Sequence, residues 1–258
     1  MTLLADMLWV ELRKALRSRV PPVAGLMSLL MPLGVGLLIF AARNPEISRQ
    51  MGLISAKANL LAYSATDWPA YLRLAAMMSA AGGFGVFVFA VTWTFGREFV
   101  DGTLKDMLAV PVPRAAILLA KFAVVGAWSV VLSLILLLVT LLMGALIRLP
   151  GGSPAAILQG SGLMLLTSAL AAMLVTPFAF FASVGRGYLL PIGVAFLALI
   201  AANLLALAGW GEYFPWAVPG LFSQGESLGA ISYAIVVLTS LAGLAGTLVW
   251  WELADQTR

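Results

Sequence analysis

The chain has 258 residues, of which 62% are hydrophobic and 10% charged, with a net charge of +4. A soluble domain of this length has no use for so much apolar surface, so the composition predicts a polytopic membrane protein. Cysteine and histidine are absent, which excludes disulfides, imidazole metal sites and catalysis by Ser–His or Cys–His pairs. Because basic residues are common at membrane edges, the positive charge does not indicate nucleic acid, and we expect no nucleic-acid partner.

Residues 1–19 are predicted to form an amphipathic helix in the membrane interface. One face gathers Leu4, Leu8, Trp9, Leu12, Ala15 and Leu16. The opposite face carries Asp6, Arg13, Lys14 and Arg17. This composition is typical of interfacial helices, so the helix is either an anchor or also a lever that touches a cytoplasmic partner. Acids and bases are threaded through the segment, which is therefore not expected to be a signal peptide. Pro21 and Pro22 should separate it from the first span.

Six apolar runs are long enough to cross a bilayer, because a helix needs about 20 residues to span roughly 30 Å of hydrocarbon. They are residues 20–42, 74–96, 115–147, 155–184, 188–208 and 231–251. Continuous apolarity at this length indicates helices rather than the alternating strands of a membrane barrel. The predicted fold is therefore an all-α polytopic membrane protein, with residues 1–258 forming a single transmembrane domain.

Proline and glycine inside the runs predict local features of the spans. Pro177 and Pro191 are expected to kink the fourth and fifth runs. Small residues indicate close helix packing, with a dimer seam as one location; they are Gly82, Gly83, Gly85, Gly243 and Gly246.

The distribution of Lys and Arg predicts the orientation of the chain. Six spans place both termini on one side of the membrane, and that side holds ten of the 15 basic residues. Basic residues favour the cytoplasmic side, so both termini are predicted to be cytoplasmic.

Two external loops have their own patterns. The first, residues 43–71, is predicted to contain an amphipathic helix over 45–63, because Asn44 is a good N-cap and Pro45 suits the first helical position. That helix is either a structural lid or a substrate contact. The second, residues 209–227, is rich in aromatic residues, Gly and Pro. It is either a short broken helix at the interface or a belt of aromatic side chains.

Residues 97–114 are predicted to form a cytoplasmic loop between the second and third spans. Glu98 and Asp101 are expected to end the second span in water. Gly102 then permits a sharp reversal of the chain, because glycine adopts left-handed backbone conformations without steric cost.

A short helix is predicted within this loop at Leu104–Ala109. Thr103 followed by Asp106 matches a capping box, which starts a helix, and the prolines beyond stop it. The exposed positions of this helix are expected to be Lys105, Asp106, Met107 and Leu108. A helix of this length is marginal alone and would be steadied by a partner protein.

The stretch FGREFVDGTLKDMLAVPVPRAAILLAK at 95–121 resembles the membrane subunit of ABC-2 type ABC transporters, near the bacitracin-export permeases. The basic amphipathic helix before the first span and YFPWAVPGLF at 213–222 support the resemblance. It implies that residues 103–109 are a coupling helix docked on a separate ATP-binding subunit and that 1–19 are a connecting helix. The implied docking residues are Glu98, Asp101, Gly102, Thr103, Leu104, Lys105, Asp106, Met107 and Leu108.

The resemblance also implies partners for the chain. The sequence contains no Gly-x-x-x-x-Gly-Lys-Ser/Thr motif, so ATP and Mg²⁺ are expected in the partner ATPase. This chain is expected to have no cofactor, no metal and no enzymatic activity of its own. The family pattern implies an assembly of two permease copies and two ATPases, with membrane lipid around the permeases. It also implies that this chain is a multi-pass protein of the bacterial plasma (inner) membrane.

The middle of each run lacks acidic and basic residues, which disfavours coupling to ions or protons. We expect an ATP-driven exporter of an apolar or amphipathic substrate, such as a drug, peptide antibiotic or lipid, that works by alternating access. The candidate cavity residues are Phe84, Phe87, Trp93, Phe178, Phe181 and Asn203. The alternatives are a lipid or peptide flippase or mechanotransmitter, an intramembrane enzyme, and a scaffold that recruits a peripheral protein.

Overall fold

The computed structural model describes residues 3–43 and 67–253 of the chain. Within these ranges the regular structure is helical, and six segments are long and apolar enough to cross a membrane. This confirms the predicted all-α fold with six candidate spans. The helix predicted over 45–63 lies outside the described residues, as does most of the loop at 43–71.

The described helices follow in chain order. They are α1 (Leu3–Arg17), α2 (Val20–Arg43), α3 (Trp68–Met78), a π-helix (Ser79–Gly83), α4 (Phe84–Val100), α5 (Leu104–Ala109), α6 (Arg114–Leu146), α7 (Pro154–Met173), α8 (Thr176–Val184), α9 (Leu189–Leu207), two 3₁₀ turns (Gly211–Tyr213 and Pro215–Ala217), α10 (Val218–Gln224) and α11 (Ala230–Leu253). Span 1 is α2, span 2 runs from α3 to α4, and span 3 is α6. Span 4 comprises α7 and α8, span 5 is α9, and span 6 is α11.

Span 2 begins earlier than the apolar run that predicted it. It starts at Trp68 rather than at residue 74, because Asp67 caps α3 by accepting a hydrogen bond from the Ala70 amide at 2.9 Å. Pro69 occupies the first turn, where a missing N–H costs nothing. The π-helix at Ser79–Gly83 interrupts the same span and was not predicted.

The effect of each proline depends on its position in a helix. Pro21 and Pro22 lie in the first turn of α2, so α1 and span 1 are separate helices as predicted. Pro177 lies in the first turn of α8, just after α7 ends, so the helix of span 4 is interrupted where a kink was predicted. The kink predicted at Pro191 is wrong. This residue lies in the first turn of α9, where its ring meets no preceding helical carbonyl.

The core is built around span 4. α8 packs against both α4 and α11, while α3 packs on α7 and α6 packs on α1 and α2. Gly243 of α11 permits a close approach to the backbone of α8, since a Cβ there would lie 2.7 Å from the Cα of Pro177. Gly243 therefore serves packing within one chain. At Gly246 an added Cβ would meet only Phe180, at 3.8 Å.

Hydrogen bonds join three spans at one end of the bundle. Arg114 at the start of α6 donates to the carbonyl oxygen of Trp251 at 2.6 Å. The indole N–H of Trp251 donates to the hydroxyl oxygen of Ser183 at 2.8 Å. The start of span 3 and the ends of spans 4 and 6 therefore meet at the same end of the bundle, next to α1 and α5.

Candidate functional site

The loop after span 2 reverses sharply and then forms α5. Gly102 has φ of +69°, so it adopts the left-handed conformation predicted for it. α5 has the predicted bounds Leu104–Ala109. Leu104 is buried in the main core, whereas Lys105 and Asp106 are exposed. The helix is thus held by an apolar anchor and presents charged side chains outward.

Met107, Leu108 and Thr103 differ from the predicted arrangement. Met107 and Leu108 are half-buried against the core rather than fully presented. Thr103 makes no side-chain hydrogen bond to α5, so the predicted capping box is wrong. Its ψ of 1° is far from the extended conformation in which a capping hydroxyl reaches the helix N–H groups.

Glu98 and Asp101 have different environments, although both were expected in water. Asp101 is exposed and accepts a hydrogen bond from Nε of Arg97 at 3.2 Å. Glu98 is only 3% exposed, so the prediction for it is wrong. The carboxylate is buried because two lysines, Lys14 and Lys121, meet it inside the protein.

Glu98 belongs to a group of four charged side chains, Glu11, Lys14, Glu98 and Lys121, which we call the buried charge cluster. Lys121 is 0% exposed, and its Nζ donates to Glu98 Oε1 at 2.7 Å, to Glu11 Oε2 at 3.1 Å and to the carbonyl oxygen of Thr94 at 2.9 Å. Three acceptors satisfy the three N–H groups of the ammonium. Lys14 completes the cluster, because its Nζ lies 2.8 Å from Glu11 Oε1 and 3.4 Å from Glu98 Oε1.

Contacts within the cluster favour the charged forms of Glu11 and Lys14, the two cluster residues on α1. Burial disfavours the charged form of Glu11, but the positive charges of Lys121 and Lys14 outweigh it and lower the pKa of Glu11. Burial also opposes the charge of Lys14, but Glu11 and Glu98 outweigh it and raise the pKa of Lys14. Two acidic and two basic side chains meet in the cluster, so their formal charges balance.

The buried charge cluster decides which face of α1 packs on the bundle. The buried residues of α1 are Glu11 and Ala15, with Lys14 half-buried beside them. Lys14, predicted on the polar face of α1, is half-buried because Glu11 and Glu98 pair with it. The predicted apolar face is largely exposed at Leu4, Leu8, Trp9, Leu12 and Leu16. The spacing of Glu11 and Lys14, one helical turn apart, is a signal that sequence reasoning missed.

A groove of about 400 Å³ separates α1 from α5. Its walls include apolar side chains from both helices, from the connection that follows α5 and from the start of span 3: Met7, Val10, Met107, Val110, Val112 and Ile117. Glu98 and Asp106 also line it. Oε2 of Glu98 is buried and has no hydrogen-bond partner among the described residues. The groove therefore combines apolar walls with an available buried acceptor.

Most of the candidate cavity residues lie in the core. Phe84, Phe87 and Phe178 are almost fully buried, and Phe84 packs edge-on against Phe178 with ring centroids 5.6 Å apart. They fill the protein interior in this conformation, and only Phe87 borders a small cleft, of about 10 Å³, among the described cavities. Phe181 and Trp93 are half-buried against other aromatic rings.

Asn203 is exposed and lines a groove of about 180 Å³. The groove lies between the π-helix, α9 and α10, and the other side chains around it include Trp216, Leu221, Ser223 and Gln224. The polar side chains around it include Asn203, Ser223 and Gln224, and most of the other lining side chains are apolar. Sequence reasoning identified Asn203 but not Gln224 or Trp216 as its neighbours, because Trp216 and Gln224 lie beyond the end of α9 and only the folding of the 3₁₀ turns and α10 brings them to this groove.

Comparisons with known proteins agree with this architecture. The family model described as ABC-2 family transporter protein matches residues 7–202. The bacitracin transport permease protein BCRB of Bacillus licheniformis is 26% identical over 168 residues, which cover 64% of this chain and 81% of that protein. The range matched by the family model includes α5 and all four residues of the buried charge cluster.

Proposed function

The chain belongs to the ABC-2 family of transporter membrane proteins, and from this premise we propose that it is the permease subunit of an ATP-driven exporter. It is a multi-pass membrane protein of a family whose members act as transporter permeases with ABC ATPase subunits, not as catalytic enzymes. ATP and Mg²⁺ would be bound by separate ATPase subunits, because the sequence has no phosphate-loop motif. Two copies of this chain would pair with two ATPases in a bacterial inner membrane.

The placement of α5 carries the proposal. Leu104 anchors α5 in the core, while Lys105 and Asp106 are free to meet a cytoplasmic partner. Six residues are too few for a helix to be stable alone, so α5 gains order from its contacts. The groove between α1 and α5 offers apolar walls next to it, with room for a side chain of the partner.

Movement of the ATPase would be passed from α5 to the spans along two connections. Gly102 joins α5 directly to α4. The buried charge cluster joins the same end of α4, at Glu98, to α1 and to span 3. A push on α5 would therefore reach spans 2 and 3 and α1 together, as alternating access requires.

The substrate would be apolar or amphipathic: a drug, a peptide antibiotic or a lipid. The Bacillus licheniformis relative is named for bacitracin transport, which supports a peptide antibiotic. The groove at Asn203 and Gln224 combines neutral polar groups with apolar walls and suits such a molecule.

The aromatic core of one copy is closed at Phe84 and Phe178. This closed core favours a second candidate function, that of a lipid or peptide flippase or mechanotransmitter.

Reversing the charge of α5 is expected to uncouple the ATPase without unfolding the permease. Lys105 is exposed, and a lost surface contact costs on the order of 1 kcal/mol or less, so Lys105→Glu should reach the membrane at the normal level. ATPase co-purification and substrate-stimulated ATP hydrolysis should fall. Gly102→Val should be more severe, because a β-branched residue resists φ of +69°.

Arg73→Glu is the matched control, since Arg73 is an exposed cation at the predicted external end of span 2. It should leave ATPase association unchanged. Normal ATPase co-purification with Lys105→Glu would contradict docking through Lys105. Transport that followed a proton or sodium gradient and persisted with an ATPase mutated in its phosphate loop would overturn the proposed function itself.

The orientation of the chain is tested by labelling single cysteines. The natural sequence has no cysteine, so each introduced thiol reports one position. Ser227→Cys, in the exposed connection between α10 and α11, should react with a membrane-impermeant maleimide added to intact cells. Thr257→Cys should react only after the cells are opened. External labelling at position 257 would contradict cytoplasmic termini.

A further inference from the structure

A basic groove of about 420 Å³ lies between α1 and the end of α4. It is lined by Trp9, Val10, Arg13, Lys14, Arg17, Ser18 and Arg97. Four of these side chains are cations and none is an acid. We propose that this groove binds the phosphate-bearing headgroup of an anionic phospholipid in the leaflet that contacts α1.

The charges in the groove are only partly compensated by the protein. The charge of Lys14 is balanced within the buried charge cluster. Arg13 and Arg17 have no ion-pair partner among the residues that the structure describes. Two positive charges, one helical turn apart on α1, are therefore left to attract an anion.

Arg97 supplies a donor to the same groove. Its Nε is hydrogen-bonded to Asp101, and its guanidinium stacks on Trp93 at 5.1 Å from the ring centroid. These two contacts fix the orientation of the planar group. Its Nη1 is buried and has no hydrogen-bond partner among the described residues. An oriented guanidinium with an unused donor suits a phosphate oxygen, because arginine binds phosphate through directed N–H groups.

The neighbouring surface of α1 indicates a lipid rather than a soluble phosphate. Trp9 is 63% exposed, and tryptophan favours the depth of lipid headgroups. Leu12 and Leu16 are exposed on the same helix, so acyl chains would find an apolar surface beside the basic groove. Basic groups at the inner membrane surface attract anionic lipid headgroups. The bound lipid would bridge α1 to α4 next to the buried charge cluster.

The test uses the purified permease without its ATPase, so its outcome is separate from that of the proposed function. Binding of fluorescent phosphatidylglycerol would be compared with that of phosphatidylcholine. Arg13→Gln/Arg17→Gln should weaken phosphatidylglycerol binding about tenfold or more, because two surface charges are lost. Arg19→Gln/Lys105→Gln removes two exposed cations outside the groove and should change binding by about twofold or less.

Arg97→Lys separates directed binding from charge. This variant keeps the charge but loses the planar donor, and it should weaken phosphatidylglycerol binding about threefold or more. Size-exclusion profiles and melting temperatures would establish that each variant is folded. Equal loss of binding in the two double variants would show that the general positive charge of the surface, rather than this groove, attracts the lipid. That result would overturn the proposal. Equal competition by inorganic phosphate would assign the groove to a soluble anion and would also overturn it.

Discussion

Lys121→Met is expected to lower the free energy of unfolding by about 3–5 kcal/mol, because it leaves buried carboxylates without their main partner. Lys121 is fully buried and donates to both Glu11 and Glu98. Without it, two carboxylates would share the half-exposed Lys14. The two negative charges would then repel each other, so α1 should detach from the bundle. The melting temperature in detergent and the reactivity of a cysteine at Ser18 would measure the two effects.

The control for this prediction is Lys14→Met. The Lys14 side chain is 34% exposed, so water already screens its charge and the loss should be smaller. Adding Glu98→Gln to Lys121→Met should restore part of the stability, because the remaining Glu11 and Lys14 again balance. An unchanged melting temperature for Lys121→Met would show that the buried charge cluster does not hold α1.

Gly243→Ala is expected to destabilise the bundle by about 1–3 kcal/mol through overpacking. The new Cβ would lie 2.7 Å from the Cα of Pro177, and the backbone of α8 cannot move away as a flexible side chain would. Span 6 should separate from span 4, and the hydrogen bond from Trp251 to Ser183 should lengthen with it. The melting temperature and the amount of folded protein recovered from membranes would report the loss.

Gly246→Ala is a matched control on the same helix, three residues further along. Its Cβ would meet only Phe180, at an ordinary contact distance of 3.8 Å, so the variant should be close to wild type. If both variants melt at the same temperature as the natural protein, the close contact between α8 and α11 does not contribute to stability. If both lose stability equally, the cause is a general preference for glycine in span 6.

Span positions and the bounds of α5 were predictable because both depend on local chemistry. A backbone in hydrocarbon must form its hydrogen bonds internally, so a long apolar run becomes a helix whatever its neighbours are. The six predicted runs agree with the described spans within a few residues, except at the start of span 2, where Asp67 and Pro69 extend the helix. Gly102 and the prolines after Ala109 likewise act on the chain next to them.

The candidate cavity was less predictable, because the same apolar residue types occur in a protein core, on a lipid-facing surface and in a binding site. Phe178 is fully buried, while Phe196 is 67% exposed. In the sequence both are phenylalanines within an apolar run, so nothing local distinguishes them. The rotation of each helix about its axis decides between them. That rotation follows from the packing of neighbouring spans, as at Gly243 and Pro177.

The sequence by itself therefore determined the class of the protein, its six spans, the short helix α5 and its resemblance to a permease family. Only the tertiary structure decided which charges are buried. Lys121 meets Glu98 from 23 residues away and Glu11 from 110 residues away, so no local pattern places them together. Burying a charge costs several kcal/mol unless a partner meets it, and whether a partner does so depends on where α1, span 2 and span 3 converge.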